Sequence, residues 1–143
     1  MNIVSRRKFL AMVALLFALI PQLSAEERVK RPTAAAEVWG RTELYFGTNI
    51  STGGEVTDDQ FNNFVATEAT KRFPDGLTVL SGRGQFTNSA GIVVREKAHV
   101  MILLYPPQML DANKKIQELR QLYKDVFAQE SVLRVDSFSF VSF

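Results

Sequence analysis

Two short runs hold most of the side chains able to do chemistry. Arg41 and Glu43 lie two apart in a stretch dense in β-formers, Val38 to Phe46. On a strand they share one face. An arginine there would orient a carboxylate, and a glutamate could give or take a proton. Arg95, Lys97 and His99 alternate in the same way in a later run. His99 is the single histidine of the chain, and its unperturbed titration falls near neutral pH. If the two strands are neighbours, Arg41, Glu43, Arg95 and His99 converge as a catalytic cluster for proton transfer. The plainer reading pairs Arg41 with Glu43 as an ion pair on the sheet and leaves His99 satisfied by a hydroxyl or the backbone. Glu96 points to the other face of a regular strand, and a bulge near Lys97 would reverse it.

Trp39, Arg41, Glu43 and Tyr45 form one side of the first run, with rings to stack a ligand and charges to grip it. Together with Gln85 they are the candidate ligand-binding set, for a small organic molecule. Phe138 and Phe140 would join Trp39 and Tyr45 if the terminal strand pairs beside the first. In the opposite phase they fill the core, a role that Leu133, Val135 and Val141 also claim.

Composition narrows the chemistry. The chain has no cysteine, which excludes disulfides, iron–sulfur clusters and thiolate zinc. One histidine excludes a multi-histidine metal site. The expectation is therefore no metal and no cofactor. Arg6, Arg7 and Lys8 account for three of the 17 basic residues, against 15 acidic ones. Without them the remainder carries a slight acidic excess, and a nucleic-acid partner is not expected.

Those three residues open a targeting segment. An apolar run from Phe9 to Ile20 follows, stopped by Pro21, and Leu23-Ser24-Ala25 offers a small residue for cleavage. The run is shorter than the ~20 residues of a membrane-spanning helix, and no later stretch is longer. Residues 1–25 read as a signal peptide, with the mature protein periplasmic or secreted and without a membrane span. Ser5-Arg6-Arg7-Lys8-Phe9-Leu10 resembles the twin-arginine export motif, with Ala11 where the motif has lysine. A twin-arginine signal implies folding before export. The alternative is a general secretory signal with adjacent arginines, which the greasy apolar run also suits.

The elements that must position the candidates follow from period and punctuation. Residues 26–37 read as a flexible lead-in, with a helical turn conceivable at Ala34–Glu37, and 38–143 as one domain. Val38–Phe46 is a strand whose Val38, Gly40, Thr42, Leu44 and Phe46 side is core-like. A helix starts at Thr57, with Gln60 completing a capping box. It carries Phe61, Phe64, Val65 and Ala69 as a stripe and ends before Pro74. Leu77–Phe86 and Ile92–Tyr105 are strands joined by a hairpin. The second helix runs from about Asp111 to Ala128, with Ile116, Leu119, Tyr123, Val126 and Phe127 inward. Val132–Val141 is the last strand. The order β-α-β-β-α-β predicts an α+β, ferredoxin-like fold: a four-stranded antiparallel sheet with both helices on one face. The uncovered face would be a ligand floor or a homodimer interface.

Several blocks also resemble, in order, a family of small, mostly exported bacterial proteins known only as a domain of unknown function. They are Trp39-Gly40-Arg41-Thr42-Glu43-Leu44-Tyr45-Phe46-Gly47, Arg72-Phe73-Pro74-Asp75-Gly76-Leu77-Thr78-Val79, Gly84-Gln85, Arg95-Glu96 and Gln129-Glu130-Ser131-Val132-Leu133-Arg134. Phe86 departs from the tryptophan expected after the glutamine. The resemblance implies no activity. From the sequence the protein reads as a non-enzymatic ligand- or protein-binding module; the alternative is a small cofactor-independent acid/base enzyme on the open sheet face.

Overall fold

A computed structural model describes residues 36–50, 52–87 and 90–143. The chain divides into two units, Met1–Arg31 and Pro32–Phe143, and the sheet and helices belong to the second. The signal segment and most of the lead-in lie outside the described residues. Glu37, at the lead-in's end, is already strand rather than helical turn.

Four strands, β1 (Glu37–Gly47), β2 (Leu77–Thr87), β3 (Val93–Tyr105) and β4 (Leu133–Val141), form one sheet in the order β2-β3-β1-β4. Every neighbouring pair is antiparallel. The first and third strands are central, as the ferredoxin-like order requires.

The first helix, α1, begins as Asp58–Phe64, passes through a π-helical turn at Val65–Ala69 and closes with Thr70–Arg72. Its start is chemical. The Thr57 hydroxyl accepts from the Gln60 amide N–H, and the Gln60 side chain accepts from Thr57 N–H, which completes the capping box. The wide turn has a packing reason. Phe64 and Ala69 are five residues apart, which in a plain α-helix swings them to different sides. The i→i+5 turn brings both into the core. The second helix, α2 (Ala112–Phe127), buries Ile116, Leu119 and Tyr123. Val126 stays exposed, outside the stripe the sequence assigns it to.

The core lies between the helices and one face of the sheet. Leu44, Phe46, Met101 and Leu103 come from the central strands, and Phe61, Phe64, Ile116, Leu119 and Tyr123 from the helices. Phe46 sits at the centre, its ring 4.7 Å from Tyr123 and 5.4 Å from Phe61 in edge-on geometry. The Tyr123 hydroxyl, deep in this cluster, donates to the Gly47 carbonyl at 2.9 Å, so the buried polar atom is satisfied. Burial pushes the Tyr123 hydroxyl's pKa well up.

Candidate functional site

Register decides which candidates meet. Directly opposed residues share a face. Glu43 faces Ile102, and Phe46 faces His99. Glu43 therefore lies on the open face and His99 on the helix-covered face. The β2–β3 register runs without interruption from Leu77↔Leu103 to Thr87↔Val93, so no bulge at Lys97 shifts the phase. Arg95 shares the parity of His99. The four-member cluster of Arg41, Glu43, Arg95 and His99 is thus split by the sheet, two residues on each side. Gln85 pairs with Arg95, whose Nε donates to Gln85 Oε1 at 2.9 Å. Gln85 therefore stands apart from the other ligand-binding candidates, on the helix side of the β2–β3 hairpin.

The open face keeps a polar ladder along β1. Arg41 donates from Nε and Nη2 to Glu43 Oε1 at 3.0 and 2.7 Å. The Tyr45 hydroxyl donates to Glu43 Oε2 at 2.6 Å. Trp39 donates to Glu37 and meets the Phe143 ring edge-on at 5.6 Å. The Tyr45 hydroxyl, then the Arg41 guanidinium, holds the Glu43 carboxyl below its usual range against a smaller opposing effect of burial. Donating to that anion raises the Tyr45 pKa in turn.

Around this ladder the face is apolar. Val100, Ile102 and Leu104 flank it on β3, and Leu80 and Phe86 on β2. Leu133 and Val135 oppose Tyr45 and Glu43 from β4. Leu133 is 59% exposed and Leu80 53%, so this is surface rather than core. The register puts Phe138 and Phe140 opposite Gly40 and Val38, on the helix side. They neither join Trp39 and Tyr45 nor fill the core, since Phe138 is 82% exposed. The β4 residues that claim the core, Leu133, Val135 and Val141, turn to the open face instead.

Glu96 belongs to the open-face parity as well, but it is spent on structure. Its Oε2 accepts from Thr48 and Asn49 N–H at 3.1 Å each. Gly47 makes this possible: a Cβ there would fall 2.7 Å from Glu96 Oε2.

On the covered face His99 is 3% exposed and stacks on Phe61 at 4.0 Å between ring centres. Ser81 Oγ lies 3.2 Å from its Nδ1, and Asp58 Oδ1 lies 3.5 Å from Nε2, which makes no hydrogen bond. Lys97 Nζ donates to both Asp58 oxygens at 2.6 Å. Burial pushes the imidazole pKa down, the Asp58 carboxylate pulls it up, and Lys97 adds to the fall. This is a neutral, wedged histidine tying β2, β3 and the start of α1 together.

A second polar cluster escaped sequence reasoning. Thr42, wholly buried, donates to Asp136 Oδ1 at 2.6 Å and shares a 3.0 Å hydrogen bond with the Tyr105 hydroxyl. Arg134 Nε donates to the same Asp136 oxygen at 2.9 Å, and its Nη1 donates to Asn113 Oδ1. Burial would raise the Asp136 carboxyl, but the Thr42 and Arg134 hydrogen bonds and the charges of Arg134 and Arg120 outweigh it and lower the pKa. The available signal was a charged pair, Arg134 and Asp136, at the same strand parity as two phenylalanines.

Among the described residues no three His, Cys, Asp or Glu gather as a metal site, and no helix is long and apolar enough to cross a membrane.

The sheet order and the two helices on one face define a ferredoxin-like α+β domain. The chain belongs to the DUF3574 family of proteins of unknown function, whose sequence profile matches residues 41–143. No curated protein matches it in sequence. Solved structures that share the fold include two of a phage SAM lyase. A phage SAM lyase in complex with S-methyl-5'-thioadenosine is 18% identical, with a TM-score of 0.57 over 73% of this chain and 90% of that one. A phage SAM lyase in the apo state is 18% identical, with a TM-score of 0.54 over 74% and 90%. At that identity the likeness concerns the fold.

Proposed function

We propose that the protein is an exported, non-enzymatic binding module that works through the open face of its sheet, with a second copy of itself as the occupant. The observation that carries this reading is the apolar surface around the Arg41–Glu43–Tyr45 ladder. Half-exposed Leu80, Phe86, Leu133 and Val135 are poorly suited to stand in water together. The ladder is self-complementary: about a two-fold axis, Arg41 of one copy would approach Glu43 of the other. Four strands at about 4.8 Å spacing, about eight residues long at ~3.3 Å each, give a flat footprint of roughly 500 Å². With side-chain relief that is of the order of the ~800 Å² per partner of a standard interface.

Native mass spectrometry on the protein recovered from cells tests it. A dimer that Leu133→Glu converts to a folded monomer supports the reading. A clean monomer at high concentration sinks it. A monomer carrying a bound small molecule that Leu133→Glu releases would move the face from interface to ligand floor. Export has its own test. The recovered protein should start at Glu26, and Arg6→Lys with Arg7→Lys should block export by a twin-arginine route. Starting at Met1 in the cytoplasm would refute export.

The second reading, a cofactor-independent enzyme on the same face, is favoured by one observation: a SAM lyase has this fold. It has lost its proton carrier, however, since His99 lies beyond the sheet. Glu43 is held as a weak base, the wrong direction for an acceptor working near neutral pH. Incubation with S-adenosylmethionine and mass spectrometry of the mixture decides it; turnover abolished by Glu43→Gln would displace the binding reading.

A further inference from the structure

A cavity of about 430 Å³ opens between β4 and the Pro106-Pro107 connection that leads to α2. It takes no part in the open-face reading. Gly40, Tyr105, Met109, Arg134, Asp136 and Phe138 are among its walls. Its size is that of a small-molecule pocket, and so is its make-up of apolar walls with a few fixed polar groups.

Three features separate it from an ordinary surface dent. The polar groups are anchored from inside: wholly buried Thr42 holds Asp136 and meets the Tyr105 hydroxyl. Both hydrogen bonds to the Asp136 carboxylate land on Oδ1, which leaves Oδ2 for another donor. Phe138 shows 82% of its surface, although it stands beside the pocket on the helix side where a ring normally finds cover. Gly40 lies between Phe138 and Tyr105, its partners on β4 and β3, and a Cβ there would fall 2.4 Å from the Tyr105 ring. The ring can lie against β1 only because that position is bare.

We infer that this cavity is a binding site for a small amine with a flat apolar body, its nitrogen donating to Asp136 and its ring lying against Phe138. An ionised carboxylate only accepts hydrogen bonds, so the free oxygen calls for a donor, and a charged N–H makes the strongest such bond. The Phe138 and Tyr105 rings favour a flat partner and tolerate positive charge. An anion of the same shape would meet the Asp136 charge. Arg134 and Arg120 offset that charge in part, but Arg134 Nε and Nη1 are turned to Asp136 and Asn113, so the unmet group at the carboxylate is an acceptor.

The test is an NMR titration of the ¹⁵N-labelled full chain with two probes of one ring system and opposite charge, tryptamine and indole-3-acetate. Tryptamine should shift the Gly40, Ser137 and Phe138 amides saturably, and indole-3-acetate should not. Asp136→Asn and Phe138→Ala should each weaken tryptamine at least tenfold. Should Asp136→Asn lose its fold, Phe138→Ala decides the matter, since it removes an exposed ring and no buried contact. No saturable shift at millimolar tryptamine, equal binding of both probes, or unchanged binding by Phe138→Ala would overturn the site. Leu133→Glu should bind tryptamine normally, so this inference and the open-face reading fail separately.

Discussion

Strand β1 presents two surfaces that differ by one residue of phase. Thr42, Leu44 and Phe46 meet the helices and are sealed, while Arg41, Glu43 and Tyr45 are bonded to one another, flanked by side chains of β3 and β4, and left partly open to solvent. The polar residues on the two sides have correspondingly different work. On the covered side Thr42 and His99 are wedged among packed groups, and their neighbours are dictated by the fold. On the open side the ladder is arranged along a single strand and costs the fold little. A charged residue near a histidine in sequence pattern thus says nothing about chemistry until the phase of both strands is known.

The largest contrast should come from deleting side chains on either side of β1. Phe46→Ala should cost about 3–5 kcal/mol in urea unfolding, as for a fully buried aromatic. Leu133→Ala, on the open face of β4, should change stability by no more than about 0.5 kcal/mol when both variants are unfolded at concentrations low enough to keep the chain monomeric. Similar losses at both positions under those conditions would mean that the open face is packed within the monomer itself, and the two-surface picture would fail.

The rim between the surfaces comes next. Gly47→Ala drives a methyl into Glu96 and uncouples it from the Thr48 and Asn49 N–H groups. The expected loss is about 1–3 kcal/mol, the cost of leaving such donors unpaired. Glu96→Gln, which can still accept, should lose less; the reverse order would place the role of Glu96 elsewhere.

Acid should then separate the faces. The His99 pKa is depressed in the folded state, so the unfolded chain binds its proton first. Stability from this group is complete above about pH 6.5 and falls as pH drops below that value, until the folded imidazole also protonates. Asp136, Asp58 and Glu43 have lowered values, so their contributions stay in place until pH falls below about 4.5 and then disappear. Thermal midpoints between pH 7 and 5 should decline in the wild type and flatten in His99→Gln. A decline that survives the substitution would assign the acid sensitivity to another group.

The smallest effect on folding should belong to the ladder. Glu43→Gln should leave the unfolding midpoint nearly unchanged, as an ion pair at a solvent-facing sheet surface contributes little and the amide oxygen can still accept from Tyr45 and Arg41. It should nonetheless weaken self-association read by light scattering. A variant as dimeric as the wild type would remove the ladder from the interface.

Much of the architecture was legible in the chain. Thr57 and Gln60 announce a helix start because a capping box is local chemistry, and Pro74 and Pro106 end elements because proline lacks an N–H. The alternation in β1 identifies Thr42, Leu44 and Phe46 as core without reference to any partner strand. The π-turn was not legible, because it answers to where Phe64 and Ala69 must both pack.

The site was less legible for a related reason. Arg41 and Glu43 were readable as a pair, since two residues apart on one strand guarantees a shared face. Whether His99 joined them depended on the register between β1 and β3, a relation that no local stretch encodes. The terminal strand shows the same limit. Leu133, Val135 and Val141 on one parity and Phe138 and Phe140 on the other are about equally apolar, so hydrophobicity could not choose its phase. Pairing with β1 chose it, aligning Asp136 with Thr42 and Ser137 with Arg41. Element types, their order and the faces of β1 follow from interactions between residues near in sequence. The separation of Glu43 from His99, the exposure of Phe138 and the Tyr105–Thr42–Asp136–Arg134 cluster arise only when strands distant in sequence dock, because side-chain direction in a sheet reverses with every single step of register.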